Sequence, residues 1–356
     1  MQDFPVTARY AYLNTAAVGT IPQSTVEQMT AFYQRHTELG SLARLSWMDE
    51  IEQVRRRVAD YINAHPDEIA MVPHTAAAAR MLAQTLQGQG KILVCEADYP
   101  TINSPWELSG YDLQYWHSEP NGALDLQAVA DSDATAVCIS HVQWTSGYRL
   151  DLARLSDVCR RTGKQLFVDG TQSLGPQRID VQATPMDCLM VSGYKWMMAG
   201  FGASFMYLSR GFLERYPIEI HYRFYDQGGP LEPTARRYEI GHERFDAVRR
   251  LGAGLGALHT YGYDRVVART AELTDYLYRQ LAAHGIRILS DYDAAHRSQI
   301  VSIAGDEALR QQLEERGIIV SQRGPGLRVA VYYYNTEADI DRLIEGYKAC
   351  TSARLL

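Results

Sequence analysis

VDGTQSLGPQRIDVQATPMDCLMVSGYKW, residues 168–196, holds two apolar runs, each delivering a polar group at its end. Residues 165–170 (QLFVDG) read as a buried strand that stops at Asp169, and residues 186–193 (MDCLMVSG) as a second strand that stops just before Lys195. Open α/β sheets place their ligand sites at such strand ends. Taken singly, Asp169 reads as a cap on the turn after its strand and Lys195 as a surface lysine. The combination asks for more than either.

Outward from this stretch the chain alternates. Residues 68–72, 91–96 and 134–140 read as strands and 111–117 as an edge strand, while 76–86, 126–130 and 152–162 read as helices. Residues 22–36 and 48–63 are helical by pattern. In the second of these, Ile51, Val54, Val58 and Ile62 form a stripe of core residues. This alternation predicts an α/β fold with a mainly parallel sheet covered on both faces. After residue 207 the pattern changes. Residues 218–233 are rich in aromatics and glycine without periodicity, and a loop of that length is often functional. Helices follow at 245–259 and 264–284. Short elements at 286–289, 299–303, 307–316, 318–322, 327–334 and 338–349 then read as a smaller α+β domain. The expected division is an arm over residues 1–20, a large domain over 21–245 and a small C-terminal domain over 246–356.

Composition excludes several classes. With 356 residues, 46% hydrophobic and 22% charged, the chain can bury a sizeable core. A net charge of −7 gives no support for nucleic-acid binding. No run reaches the length of a membrane span, and the first residues lack a basic n-region and an apolar h-region, so the expected location is the cytoplasm, away from membranes. The five cysteines are an odd set without CxxC spacing, which argues against a disulfide framework. The ten histidines show no HExxH motif, and no metal is expected.

A lysine with a paired acid at strand ends is what pyridoxal 5'-phosphate (PLP) requires: an amine to bond its aldehyde and a carboxylate to keep its pyridine nitrogen protonated. The wording goes further. Asp169-x-x-Gln172 followed by Ser192-Gly-Tyr-Lys195-Trp resembles the class V aminotransferase and cysteine desulfurase family, a branch of the fold-type I PLP enzymes. The resemblance spans Asn14 to Thr336. It implies the fold-type I architecture, PLP as cofactor, and a homodimer with active sites shared at the interface.

The resemblance also assigns residues. Lys195 is the cofactor-bonding and catalytic lysine, and Asp169 the partner of the pyridine nitrogen. Pro73-His-Thr75-Ala76 begins a helix whose unpaired N–H groups suit a phosphate. The family usually has Gly-Thr-Thr or Gly-Ala-Thr here, so one hydroxyl is lost, and Thr75 reads equally as a plain helix cap. Tyr99, in Glu96-Ala-Asp-Tyr-Pro-Thr101, matches the aromatic that stacks on the cofactor ring, although a chain with 23 tyrosines also places aromatics by chance. Gln143 and Gln172 match donors to the ring oxygen. Ser192 and Tyr194 complete the phosphate cup, with Tyr194 where relatives often have histidine. His242 stands where relatives send a phosphate ligand to the partner subunit, a chemical departure. Arg328, followed by Tyr334-Asn-Thr336, matches the arginine that holds the substrate α-carboxylate; its plain reading is an edge-strand surface charge. Asn14, in the arm, matches a segment that crosses the mouth of the site.

These residues lead us to expect a PLP-dependent enzyme acting at the α-carbon of an amino acid, first an aminotransferase. A C–S lyase or other β-eliminating enzyme is the alternative, and an epimerase a third outcome of the same chemistry. A non-catalytic PLP-fold protein and a nucleotide-binding domain are the readings from other classes. The last is weak, because GxxxxGK[ST] is absent and Gly252-Ala-Gly-Leu-Gly-Ala257 falls inside a helical stretch. A cysteine desulfurase is not expected: that reaction needs a cysteine on a mobile loop, and residues 318–327 contain none.

Overall fold

The computed structural model describes residues 3–88, 90–217, 233–241 and 244–352. In chain order the strands are β1 (Ala11–Tyr12), β2 (Ile69–Val72), β3 (Lys91–Cys95), β4 (Asp112–Trp116), β5 (Ala136–Ser140), β6 (Gln165–Asp169), β7 (Cys188–Ser192), β8 (Ser204–Leu208), β9 (Ile300–Ala304), β10 (Ile318–Ile319), β11 (Ser321–Arg323) and β12 (Gly326–Ala330). The helices are α1 (Gln23–Leu39), α2 (Arg44–Ile62), α3 (Thr75–Leu86), α4 (Pro100–Glu107), α5 (Gln127–Asp131), α6 (Leu152–Thr162), α7 (Arg210–Arg215), α8 (Phe245–Tyr261), α9 (Tyr263–Ala283), α10 (Glu307–Glu315) and α11 (Glu337–Ser352).

Seven strands form one sheet in the order β2-β8-β7-β6-β5-β3-β4. Its ladders are parallel from β4 to β7, and only β8 runs against its neighbours β7 and β2. Successive residues of these strands feed opposite cores, as the two-residue period requires. Leu166, Val168, Leu189 and Val191 pack on one side with α2, α6 and α8, whereas Phe167, Cys188 and Met190 pack on the other with α3 and α4. This is the covered, mainly parallel sheet that the alternation predicts.

Local signals set the joints. Asp151 caps α6 by accepting from the Arg154 N–H at 3.0 Å, and α6 leads into β6. The parallel ladders bring the ends of β5, β6 and β7 side by side, with Ser140 opposite Asp169 and Asp169 opposite Met190. The charged residue at the end of β6 therefore lies at the carboxyl edge of the sheet.

A second sheet, β11-β12-β9, is antiparallel and packs with α9, α10 and α11. The arm joins this region: β1 pairs in parallel with β10, and Asn14 bridges to Ala330.

Several elements differ from the sequence reading. β8 and α4 were not anticipated. β8 follows β7 through a turn with no helix between, which breaks the expected alternation, and α4 carries Pro100 at its first turn and Pro105 within it. Residues 286–289 hold only an isolated bridge, Ile288 to Ile303. Residues 318–322 divide at Val320, because Ile318 and Ile319 pair with the arm while Ser321 to Arg323 pair with β12. The strand expected at 327–334 stops at Ala330, and the Tyr332 N–H instead meets the Asn335 side chain at 2.9 Å.

Candidate active site

Asp169 is the last residue of β6 and is 5% exposed. Its Oδ1 accepts from the Thr171 N–H at 2.7 Å. Burial raises its carboxyl above the usual range, Asp98 adds to this, and Thr171 and Lys195 oppose it. Lys195 is 6% exposed. Burial pushes its amine well below the ordinary lysine value, Arg328 and then Arg323 push the same way, and Asp169 opposes them. A buried lysine held toward its free-base form is a nucleophile and a proton acceptor in one group.

Both side chains line a cavity of about 150 Å³, which is also lined by Thr75, Ala76, Tyr99, Gln172, Ser192 and Tyr194. A larger cavity of about 920 Å³ lies between α1, α2 and α8, near Trp47 and Phe245, but it holds no lysine. Chemistry places the site at the smaller one.

Each residue singled out in the sequence, His242 aside, has a definite place. Thr75 is the first residue of α3, and His74, not Thr75, is the cap: its Nδ1 accepts from the Ala77 N–H at 3.1 Å. The Thr75 N–H donates instead to Ser192 Oγ at 3.1 Å, tying the end of β7 to the helix start. The Lys195 amine lies 5.6 Å from the Tyr99 ring centre and 5.3 Å from that of Tyr194. Tyr194 stacks on Phe201, and burial pushes its phenol up to about 12. Gln143 is buried beside Ser140, whose carbonyl accepts from its Nε2 at 3.4 Å. The Gln172 amide is already engaged: Nε2 donates to the Ala16 carbonyl at 3.1 Å, and Oε1 accepts from Trp196 at 2.9 Å. Arg328 is 1% exposed, so the surface-charge reading is wrong for it; its Nη1 donates to the Trp144 carbonyl at 2.7 Å and its Nε has no partner. The Asn14 Oδ1 is likewise buried without a partner. His242 and residues 218–232 lie outside the described residues.

Sequence reasoning passed over three neighbours. Asp98 accepts from the Tyr99 N–H at 2.7 Å, from Ser140 Oγ at 2.6 Å and from the Ser140 N–H at 2.8 Å, so it joins the Tyr99 loop to the end of β5. Trp144 packs edge-on against Tyr99. Gly19 donates to the Tyr194 carbonyl at 3.0 Å, and a Cβ there would stand 1.8 Å from the Lys195 carbonyl oxygen. Asp98 and Trp144 sit inside the two loops chosen for Tyr99 and Gln143; burial reveals Asp98, and the ring contact with Tyr99 reveals Trp144.

The donor set fits PLP. A buried amine and a buried carboxyl share one cavity, and hydroxyls at a helix start stand at its wall. The aminotransferase class-V family model matches residues 11–343. The chain belongs to that family. PLP is its cofactor, and the architecture is fold-type I. Among curated class-V relatives, an uncharacterized aminotransferase, YcbU of Bacillus subtilis, is 24% identical, covering 98% of this chain and 97% of its own length. Isopenicillin N epimerase of Streptomyces clavuligerus is 28% identical, with 95% and 94% covered. Cysteine desulfurases stand among the relatives as well. A solved structure of a lysine-to-alanine mutant of C-DES, a cystine C–S lyase, with glycine covalently linked to the PLP cofactor, has a TM-score of 0.88 at 22% identity, covering 97% of this chain and 98% of its own.

Proposed function

We propose that this class-V enzyme is an amino-acid aminotransferase and not a cysteine desulfurase. The observation that carries this reading is a buried lysine and acid with a buried arginine in reach, and no available thiol. All five cysteines are buried. Burial holds Cys95, Cys138, Cys159 and Cys188 far above the ordinary thiol value, which leaves almost no thiolate, the form that accepts sulfur. Cys350 is buried in α11, and the turn before Arg328 is only Gly324-Pro325.

When bound, PLP supplies an aldehyde for the substrate amine and a cationic ring that withdraws electrons from the α-carbon. Asp169 is suited to keep the ring nitrogen protonated. Thr75, Ala76, Ser192 and Tyr194 suit the phosphate, with Tyr99 at the ring face. Gln143 suits the ring oxygen; Gln172 retains one N–H for it. Arg328 offers charge-assisted hydrogen bonds to the α-carboxylate, and Asn14, which bridges to Ala330 two residues along the same strand, is the second candidate for the substrate. Lys195 Nζ holds the cofactor between turnovers and, as a free amine, takes the proton from the substrate α-carbon. No further catalytic side chain is required for transamination.

The reading includes a homodimer with shared sites, to which His242 would contribute across the interface. Exposed Val18, Ile21 and Phe201 beside Tyr194 support it.

Incubation with a panel of amino acids, assaying keto acid, ammonia and sulfide separately, tests the reaction. Keto acid with pyridoxamine phosphate and no ammonia is expected. Ammonia from substrates bearing a β-leaving group would make the enzyme a lyase, and inversion alone would make it an epimerase. A protein-bound persulfide from L-cysteine that vanishes in one Cys→Ala variant would reverse the exclusion of desulfurase activity.

A further inference from the structure

Arg323 is the charged residue in the β11–β12 hairpin that the proposed chemistry leaves unused. In the antiparallel register Ser321 stands opposite Arg328 and Arg323 opposite Gly326. Directly opposed residues share a face, as do residues two apart along one strand. Arg323 and Arg328 therefore project from the same face of one hairpin, and a two-residue turn fixes their spacing.

Neither guanidinium has a carboxylate partner among the described residues. Arg328 meets the Trp144 carbonyl, and the Arg323 Nη1 donates at 2.7 Å to the Gln322 carbonyl. Trp144, the partner of Arg328, lines the Lys195 cavity, and the positive charges of Arg328 and, to a lesser degree, Arg323 push the lysine amine down. Arg323 is half-buried, Arg328 fully buried. A substrate with a single carboxylate compensates Arg328 alone. It leaves a second, partly desolvated positive charge on the same hairpin face, which a second anionic group would neutralise with charge-assisted, bidentate hydrogen bonds.

We propose that Arg323 selects amino-dicarboxylic acids, the class of aspartate and glutamate, by binding the carboxylate at the far end of the substrate side chain while Arg328 binds the α-carboxylate. This rests on the amino-acid reading above and assigns the substrate class to it. Neutral amino acids of equal length enter the same site but leave Arg323 unpaired.

The test compares glutamate with norvaline, and aspartate with 2-aminobutyrate, on the holoenzyme of the native chain, Arg323→Leu and Arg323→Lys. The native enzyme is expected to favour the acid of each pair. Loss of one charge-assisted contact predicts that Arg323→Leu lowers the glutamate-to-norvaline ratio of kcat/KM by roughly 30-fold, mainly through KM, with Arg323→Lys retaining part of it. Calorimetry supplies a readout apart from turnover: α-methylglutamate, which has no α-proton to lose, should bind native holoenzyme more tightly than α-methylnorvaline, and Arg323→Leu should erase the difference. An equal loss for acidic and neutral substrates would assign Arg323 to the α-carboxylate and overturn the proposal. So would a native enzyme that prefers the neutral member, with transamination intact. If no amino acid of either kind reacts or alters the visible absorbance of the bound cofactor, the underlying amino-acid reading fails with it.

Discussion

At the residue scale the site turns on Lys195, one of only four lysines, the others being Lys91, Lys164 and Lys348. Borohydride reduction and peptide mapping should put the cofactor on Lys195, and a label on exposed Lys91, which pairs with Asp133, would refute that placement. Asp169→Asn should retain the bound cofactor but lose turnover by about a hundredfold or more, because a neutral ring nitrogen withdraws electrons poorly. The lowered amine value has a sign that can be read. Only the unprotonated amine attacks an aldehyde, so PLP capture by the apoprotein should rise with pH and level off well below the ordinary lysine value of about 10.4. Arg328→Gln removes a positive neighbour and should move that midpoint to higher pH. Stopped-flow absorbance across pH measures both. Among the site residues, Lys195, Asp169 and Arg328 were legible because their chemistry depends on residue type and strand-end position. Asp98 and Arg323 were not, since their significance lies in burial and cross-strand register, which one sequence does not display.

At the scale of elements, strands buried on both faces were legible as unbroken apolar runs, as β5, β6 and β7 illustrate. What escaped was β8, whose direction depends on a connection without a helix. The Gly252-Ala-Gly-Leu-Gly256 run was read as helix and not as a phosphate loop, and α8 spans it. The structure adds a reason for the glycines. A Cβ on Gly254 would stand 2.1 Å from the Met197 carbonyl oxygen, two residues beyond Lys195, whereas one on Gly256 meets nothing within 4 Å. Helix propensity alone favours alanine at both positions by about 1 kcal/mol. Gly256→Ala should therefore be neutral or stabilising. Gly254→Ala should destabilise by roughly 1–3 kcal/mol, as overpacked sites do, and shift the lysine turn. Urea denaturation with cofactor absorbance separates the two, and equal midpoints would show that α8 does not press on the site.

At the scale of the whole molecule, the apolar group beside the site mouth sets an expectation about assembly. Phe201 is 68% exposed and stacks on Tyr194. Sedimentation velocity should find a dimer for the native chain and a lighter species for Phe201→Asp, and a fully active monomer would remove the shared-site reading. The arm carries a different consequence. Ala11 pairs with Ile318, Asn14 with Ala330, and Thr15 meets the Tyr334 hydroxyl at 2.5 Å, while Gly19 lies against the Lys195 turn. Residues 11–15 thus find their seats only among residues 318–334, about three hundred positions further along the chain. At about 5–20 residues per second that interval is on the order of tens of seconds. Throughout it Ala11 and Leu13, both fully covered in the finished fold, have no seat. The large sheet can form while residues 318–334 are still to be made, but the wall of the site behind Lys195 is completed only once they are in place, so nascent chains should acquire strands before they acquire a competent cofactor pocket.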